Sequence, residues 1–182
     1  MMPTATNKAS VVLVRAPLGD GKSRVVDEIT SSLAASGRAV RRILATTATA
    51  SVPFGAVAHL LPVGAREGSD PLALIAGLRE VLSHTVSRRP VLAIDDVPLL
   101  DVATAGVIAA LAASGEVDVI ASARDDEMLP DPLVDVLLGD RAMTVALPPM
   151  TDDDISTLLH LALGGPVDGG VVAGGRRLAS AR

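Results

Sequence analysis

The run Ala16-Pro-Leu-Gly-Asp-Gly-Lys-Ser23 has the residue types and spacing needed to hold a phosphate chain. Glycines at 19 and 21 let backbone N–H groups curl around an anion, and a helix opening at Lys22 turns its positive end toward it. In such a loop the lysine ammonium reaches the β- and γ-phosphates, and the hydroxyl after it ligates Mg²⁺. Gly19, Asp20, Gly21, Lys22, Ser23 and Arg24 are therefore the candidate nucleotide-binding residues, and ATP or ADP with Mg²⁺ the implied ligands. Ala16 replaces the first glycine of the pattern, where the chain is still extended and a methyl fits. Asp20 is the discordant member, because its carboxylate faces the same phosphates unless it turns to solvent.

Val91-Leu-Ala-Ile-Asp95-Asp96 supplies a second group. Four apolar residues imply a buried strand that delivers Asp95 at its carboxyl end, where ligands bind in open α/β sheets. Asp95 is expected to hold Mg²⁺ through water, opposite Ser23. Asp96 either serves as general base for an attacking water or caps the next turn. Val119-Ile-Ala-Ser-Ala-Arg124 ends a further strand. If that strand lies between the other two, Ser122 and Arg124 emerge beside the γ-phosphate. There Arg124 would stabilise charge and report whether ATP or ADP is bound. The bland alternative is a surface arginine paired with Asp125 or Asp126. The candidate catalytic residues are thus Asp96 and Arg124, and the candidate metal ligands Ser23 and Asp95.

The elements that must position these groups follow from periodicity. Strands are expected over 9–16, 38–45, 91–95, 117–123 and 142–147, the second near an edge because of its three arginines. Helices are expected over 22–36, 70–86, 100–114 and 131–138, with a short one over 54–61 and another opening at Thr151. Gly37 and Gly115 stand where helix stops belong. The acids at 152–154 read as a helix start, and His59, His84 and His160 as surface or packing residues. Strands alternating with helices give an α/β fold, a parallel sheet sandwiched by helices, of the five-stranded P-loop NTPase type. Residues 1–8 are expected to be a disordered N-terminus, 9–163 the domain, and 164–182 a glycine-rich tail.

Composition removes several alternatives. The 182 residues carry 16 Lys+Arg against 21 Asp+Glu, a net charge of −5, which argues against a nucleic-acid surface. A single aromatic residue, Phe54, argues against stacking platforms for single-stranded nucleic acid or sugars. The absence of cysteine excludes disulfides and thiolate chemistry. Neither a bilayer-spanning apolar run nor a signal-peptide pattern is present, so the expected location is the cytoplasm, with no membrane partner.

The phosphate loop, Ser51-Val-Pro-Phe-Gly-Ala-Val-Ala-His-Leu-Leu-Pro62 and Ile94-Asp-Asp-Val-Pro-Leu-Leu-Asp101 together resemble the ATPase module of large LuxR-type transcriptional regulators. Val145-Ala-Leu-Pro-Pro-Met-Thr-Asp-Asp-Asp154 and Leu163-Gly-Gly-Pro-Val-Asp168 are similar to the same module. Those regulators are signal-transduction ATPases with numerous domains, within the AAA+-like P-loop NTPases. The resemblance implies an ATP-dependent switch in which nucleotide exchange rearranges domains and a C-terminal helix-turn-helix binds DNA. By position it makes Lys22 and Ser23 the phosphate and magnesium residues, Asp95 and Asp96 the acidic pair, and Arg124 the sensor. The sequence departs from the pattern at both ends, lacking the segment before the first strand and the helical lid, repeats and DNA-binding domain after the last helix. The expectation is a truncated N-terminal fragment that makes no DNA contact itself and is at most a weak ATPase. Self-association or a regulator partner stays open. A free-standing small P-loop kinase or ATPase, and a non-functional remnant, are the alternatives.

Overall fold

The computed structural model describes residues 10–17, 19–61, 71–83, 89–149, 151 and 153–154. Its strands are β1 (Val11–Ala16), β2 (Val40–Leu44), β3 (Val91–Asp95), β4 (Asp118–Arg124) and β5 (Ala142–Ala146). They form one sheet in the order β2-β3-β4-β1-β5, and every pairing is parallel. The helices are α1 (Lys22–Ala35), α2 (Thr47–Ala50), α3 (Pro71–Ser83), α4 (Val102–Ala113) and α5 (Asp131–Leu138).

β3 reads as an unbroken aliphatic run up to Asp95, and the central strands β1 and β4 nearly so, because both faces of the sheet are covered there. Val11 and Leu13 of β1, Leu92 and Ile94 of β3, and Val119, Ala121 and Ala123 of β4 enter the larger core. That core also takes Leu74, Leu78 and Leu82 of α3, Ile108 and Leu111 of α4, and Leu133 and Leu137 of α5. The alternate residues Val14, Val91, Ala93 and Ile120 meet Val26 of α1 on the opposite face, with Val25, Ile29 and Leu33 packed alongside. Each fully buried leucine or isoleucine contributes roughly 1.5–3 kcal/mol.

The helix ends obey local chemistry. α1 stops in a Schellman motif, in which Gly37 at φ 82° donates to Ala34 O and Arg38 to Leu33 O. Gly115 at φ 77° ends α4 in the same way, with Glu116 N reaching Leu111 O at 2.9 Å. α2, unforeseen in the sequence, is one turn long and opens on a capping box between Thr46 and Thr49. The helix expected over 54–61 is instead a 3₁₀ turn at Gly55–Val57, preceded by Phe54 at φ 60°. β2 is an edge strand, as its arginines predict. Thr151 and Asp154 bond reciprocally, which makes the acids a helix start; the rest of that helix and the tail lie outside the described residues.

Parallel register decides where the site can be. Ala16 stands opposite Arg124, Leu44 opposite Asp95, and Ile94 opposite Ala121. The carboxyl ends of β1, β3 and β4 therefore share one edge of the sheet, with β4 in the middle.

Candidate functional site

The loop after β1 is built by backbone conformation. Gly19 lies at φ 88° and Gly21 at φ 79°, both left-handed. A Cβ on Gly21 would meet no atom within 4 Å, so conformation and not space requires glycine there. α1 starts immediately afterwards, with no side-chain cap from Gly21 and no acid in its first turn. Lys22 is only 7% exposed, and its Nζ folds back to donate to Ala16 O at 3.0 Å and Pro17 O at 2.7 Å. Ser23 and Arg24 are exposed on the first turn, and Asp20 is half-buried in the loop.

At the neighbouring strand ends, Ser122 organises the two acids. Its wholly buried hydroxyl donates to Asp95 Oδ1 in a short hydrogen bond and accepts the Asp96 N–H at 3.0 Å. Asp96 adopts φ 55° and ψ 61°, a left-handed conformation that aspartate tolerates better than most residues. Burial holds its carboxyl above the usual carboxylate range, and the charges of Asp95 and Glu127 add to the rise while Lys22 and Arg124 oppose it. These five groups thus share one field, which joins the phosphate loop to the acidic pair and to Arg124. The role of Ser122 differs from the phosphate neighbour expected: it is a clamp on the acids.

Arg124 is paired. Its Nη2 lies 2.9 Å from Glu127 Oε1, and its Nε 3.4 Å from Asp126 Oδ1. Two residues of this region escape a reading of the sequence. Arg15 Nη2 donates to the carbonyls of Arg124 and Glu127, each at 3.0 Å, and so ties the turn after β4 to the strand that carries the loop. As the one charge in an aliphatic strand, Arg15 carried a usable signal; Glu127, third in a run of acids, carried none. A third is Asp101, 5% exposed, which takes the Thr104 N–H at 2.8 Å and hydroxyl at 2.6 Å and also the Phe54 N–H at 2.9 Å. It caps α4 and pins the left-handed Phe54 to it.

Other candidates are placed more plainly. His59 Nε2 bonds Arg42 O at 2.7 Å, a packing contact; His84 and His160 lie outside the described residues. Among the described residues no group of three or more His, Cys, Asp or Glu could hold a metal by itself. A divalent ion here would need the Ser23 hydroxyl, Asp95 and phosphate oxygens together, a hard-oxygen donor set that suits Mg²⁺.

No protein-family model matches the chain, and no curated protein matches it in sequence. Solved structures do. DnaA from Aquifex aeolicus with AMPPCP bound is similar with a TM-score of 0.56 and 16% identity over 97% of this chain and 52% of that one. PCH-2 from C. elegans gives 0.55 and 15%, over 88% of this chain and 40% of that one. A DNA replication initiation factor gives 0.56 and 14%, over 91% and 49%. The chain thus spans about half the length of the structures it matches. Strand order, parallel pairing and these likenesses establish the AAA+ P-loop ATPase fold.

Proposed function

We propose that this chain binds MgATP and MgADP at the carboxyl edge of its sheet and acts as the nucleotide-dependent switch module of a LuxR-type transcriptional regulator. The observation that carries the reading is the start of α1, where the left-handed Gly21 offers no side-chain cap and the buried Lys22 bonds Ala16 O, the strand residue opposite Arg124. Backbone N–H groups at 19–23 and the Lys22 ammonium take the phosphates. Lys22 exchanges two neutral carbonyl partners for phosphate oxygens, which costs little. Ser23 and Asp95 would hold Mg²⁺, whose chemistry is to neutralise charge on the β- and γ-oxygens. Ser122 keeps the Asp95 carboxylate oriented for that task. The AMPPCP-bound DnaA structure supports nucleotide as the ligand of this fold.

Support for the regulator assignment comes from the two segments that carry the resemblance, which meet in space: the Phe54 N–H bonds the Asp101 carboxylate. Turnover is expected to be slow. Asp96 has a short side chain, and its backbone is held by Ser122, so little reach remains toward an attacking water. A net charge of −5 supports the absence of DNA contact by this chain. A salt-sensitive shift of a promoter fragment would contradict that part.

Circular dichroism thermal unfolding, with and without MgATP or MgADP, tests nucleotide binding, since the chain has no Trp or Tyr. Ligand at about 100-fold over its dissociation constant adds about 2.7 kcal/mol, a shift of several degrees. The shift should vanish in Lys22→Ala. A cooperative transition that ignores nucleotide in the parent protein sinks the proposal.

A further inference from the structure

Two cations of the site, Lys22 and Arg124, are held differently. Lys22 rests on carbonyls, whereas Arg124 is engaged by carboxylates. Of its two acids, Asp126 is 76% exposed and Glu127 only 27%, so Glu127 is the less screened and stronger partner. Its position is fixed from outside the turn. Arg15 Nη2 grips the Arg124 and Glu127 carbonyls, and the Glu127 N–H donates to Arg124 O at 3.3 Å. Arg15 immediately precedes Ala16, whose carbonyl holds Lys22. The Glu127 charge also bears on Asp96, so it acts within the field where a third phosphate would lie.

The geometry points to Glu127 as the residue that sets the preference between a nucleoside diphosphate and a triphosphate. Resting on the nucleotide reading above, it assigns Glu127 the role of a latch. While Arg124 is paired with Glu127, the guanidinium is withheld from the γ-phosphate, and the site favours the diphosphate. A triphosphate must draw Arg124 away and leave the Glu127 carboxylate without its partner. The β-phosphate, served by the loop and Lys22, does not feel this cost. Glu127 is thus a positioning residue, acting through Arg124.

The test compares dissociation constants for MgADP and for MgAMPPCP, a non-hydrolysable triphosphate, by titration calorimetry on the whole chain. Glu127→Gln keeps the backbone bonds to Arg15 and removes the charge. The triphosphate-to-diphosphate affinity ratio should rise about five-fold. In an Arg124→Ala background the same substitution should change the ratio by less than half as much. Equal changes for both nucleotides, or an undiminished effect without Arg124, would overturn the latch. Should Glu127→Gln lose its cooperative unfolding transition, Glu127→Asp replaces it: withdrawing the carboxylate by one methylene should raise the ratio, and an unchanged ratio overturns the proposal. The two failures separate cleanly. If the parent protein binds neither nucleotide, the nucleotide reading falls and the latch with it; if binding is Lys22-dependent but the ratio is fixed, the latch alone falls.

Discussion

Two helices begin at the same edge of this sheet, and their first turns are opposites. α4, of 12 residues, starts after β3 with Asp101 accepting two donors of Thr104 and the Phe54 N–H. α1, of 14 residues, starts after β1 with a left-handed glycine, Gly21, that has no side chain to cap it. Their burial differs in the same sense. α4 sinks Thr104, Ala105, Val107, Ile108, Leu111 and Ala112 into the fold, whereas α1 buries Lys22, Val26 and Thr30. A helix N-terminus presents the same orphan donors wherever it occurs. Filling them with a carboxylate makes a structural joint; leaving them bare makes a seat for an anion.

Removing the filled cap should have the largest effect. Asp101→Ala leaves three donors without their acceptor, and stability should fall by about 2–4 kcal/mol. Thermal unfolding should read a loss of roughly 5–15 °C. A shift under about 2 °C would mean that water replaces the carboxylate freely. Lys22→Ala should do the reverse: basal stability changes by about 1 kcal/mol or less, while the nucleotide-dependent gain is lost entirely. Loss of basal stability as large as that of Asp101→Ala would erase the contrast between the two helix starts.

Gly21→Ala sharpens the comparison, because the space for a methyl exists but the backbone angle opposes it. The expected cost is about 1 kcal/mol, with nucleotide affinity reduced as the loop relaxes. A crystal structure of that variant should show φ at residue 21 still positive or the loop reshaped, and an unchanged affinity would mean that the loop curvature is set elsewhere.

The smallest effect is the pH dependence of Asp96, measured without metal or nucleotide. Its folded-state pKa lies above the ordinary value of 3.8, so the folded state binds the extra proton in that window. Stability from this group therefore falls as pH rises through the window, and the ionised form at neutral pH is at a disadvantage. Asp96→Asn, which also tolerates the left-handed backbone, should gain stability relative to the parent between about pH 3.5 and about pH 7 in urea titrations. A constant difference across that range would show that Lys22 and Arg124 offset burial and the neighbouring acids together, so that the carboxyl is not raised.

Much of the fold was legible because its signals are local. β3 and α5 fall on the residues that periodicity assigns, and β1, α1 and α4 agree to within two residues at their described ends. Lys22, Asp95 and Arg124 could be brought to one edge on paper only by assuming that β4 lies between β1 and β3, which the sheet order bears out. What sequence could not supply was pairing at a distance. Ser122 looked like a residue facing phosphate, yet its hydroxyl is spent on Asp95 and Asp96. Asp101 is one acid among many until Phe54, 47 positions away in the chain, is seen to need it. The helix expected over 54–61 also failed: the segment holds a 3₁₀ turn at Gly55–Val57, which apolar spacing does not distinguish from an α-helix.

The place of β1 in the sheet has a consequence for synthesis. Its neighbours are β4 and β5, which begin at Asp118 and Ala142. β2 and β3, made in between, pair with each other and not with it. At about 5–20 residues per second, the aliphatic segment that becomes β1 waits roughly 5–20 s for its first partner to leave the ribosome. During that interval it is an unpaired, proline-free strand of the kind that chaperones hold and that aggregates form around. On the proposed reading, nucleotide protects the chain only after the middle of its sheet has closed.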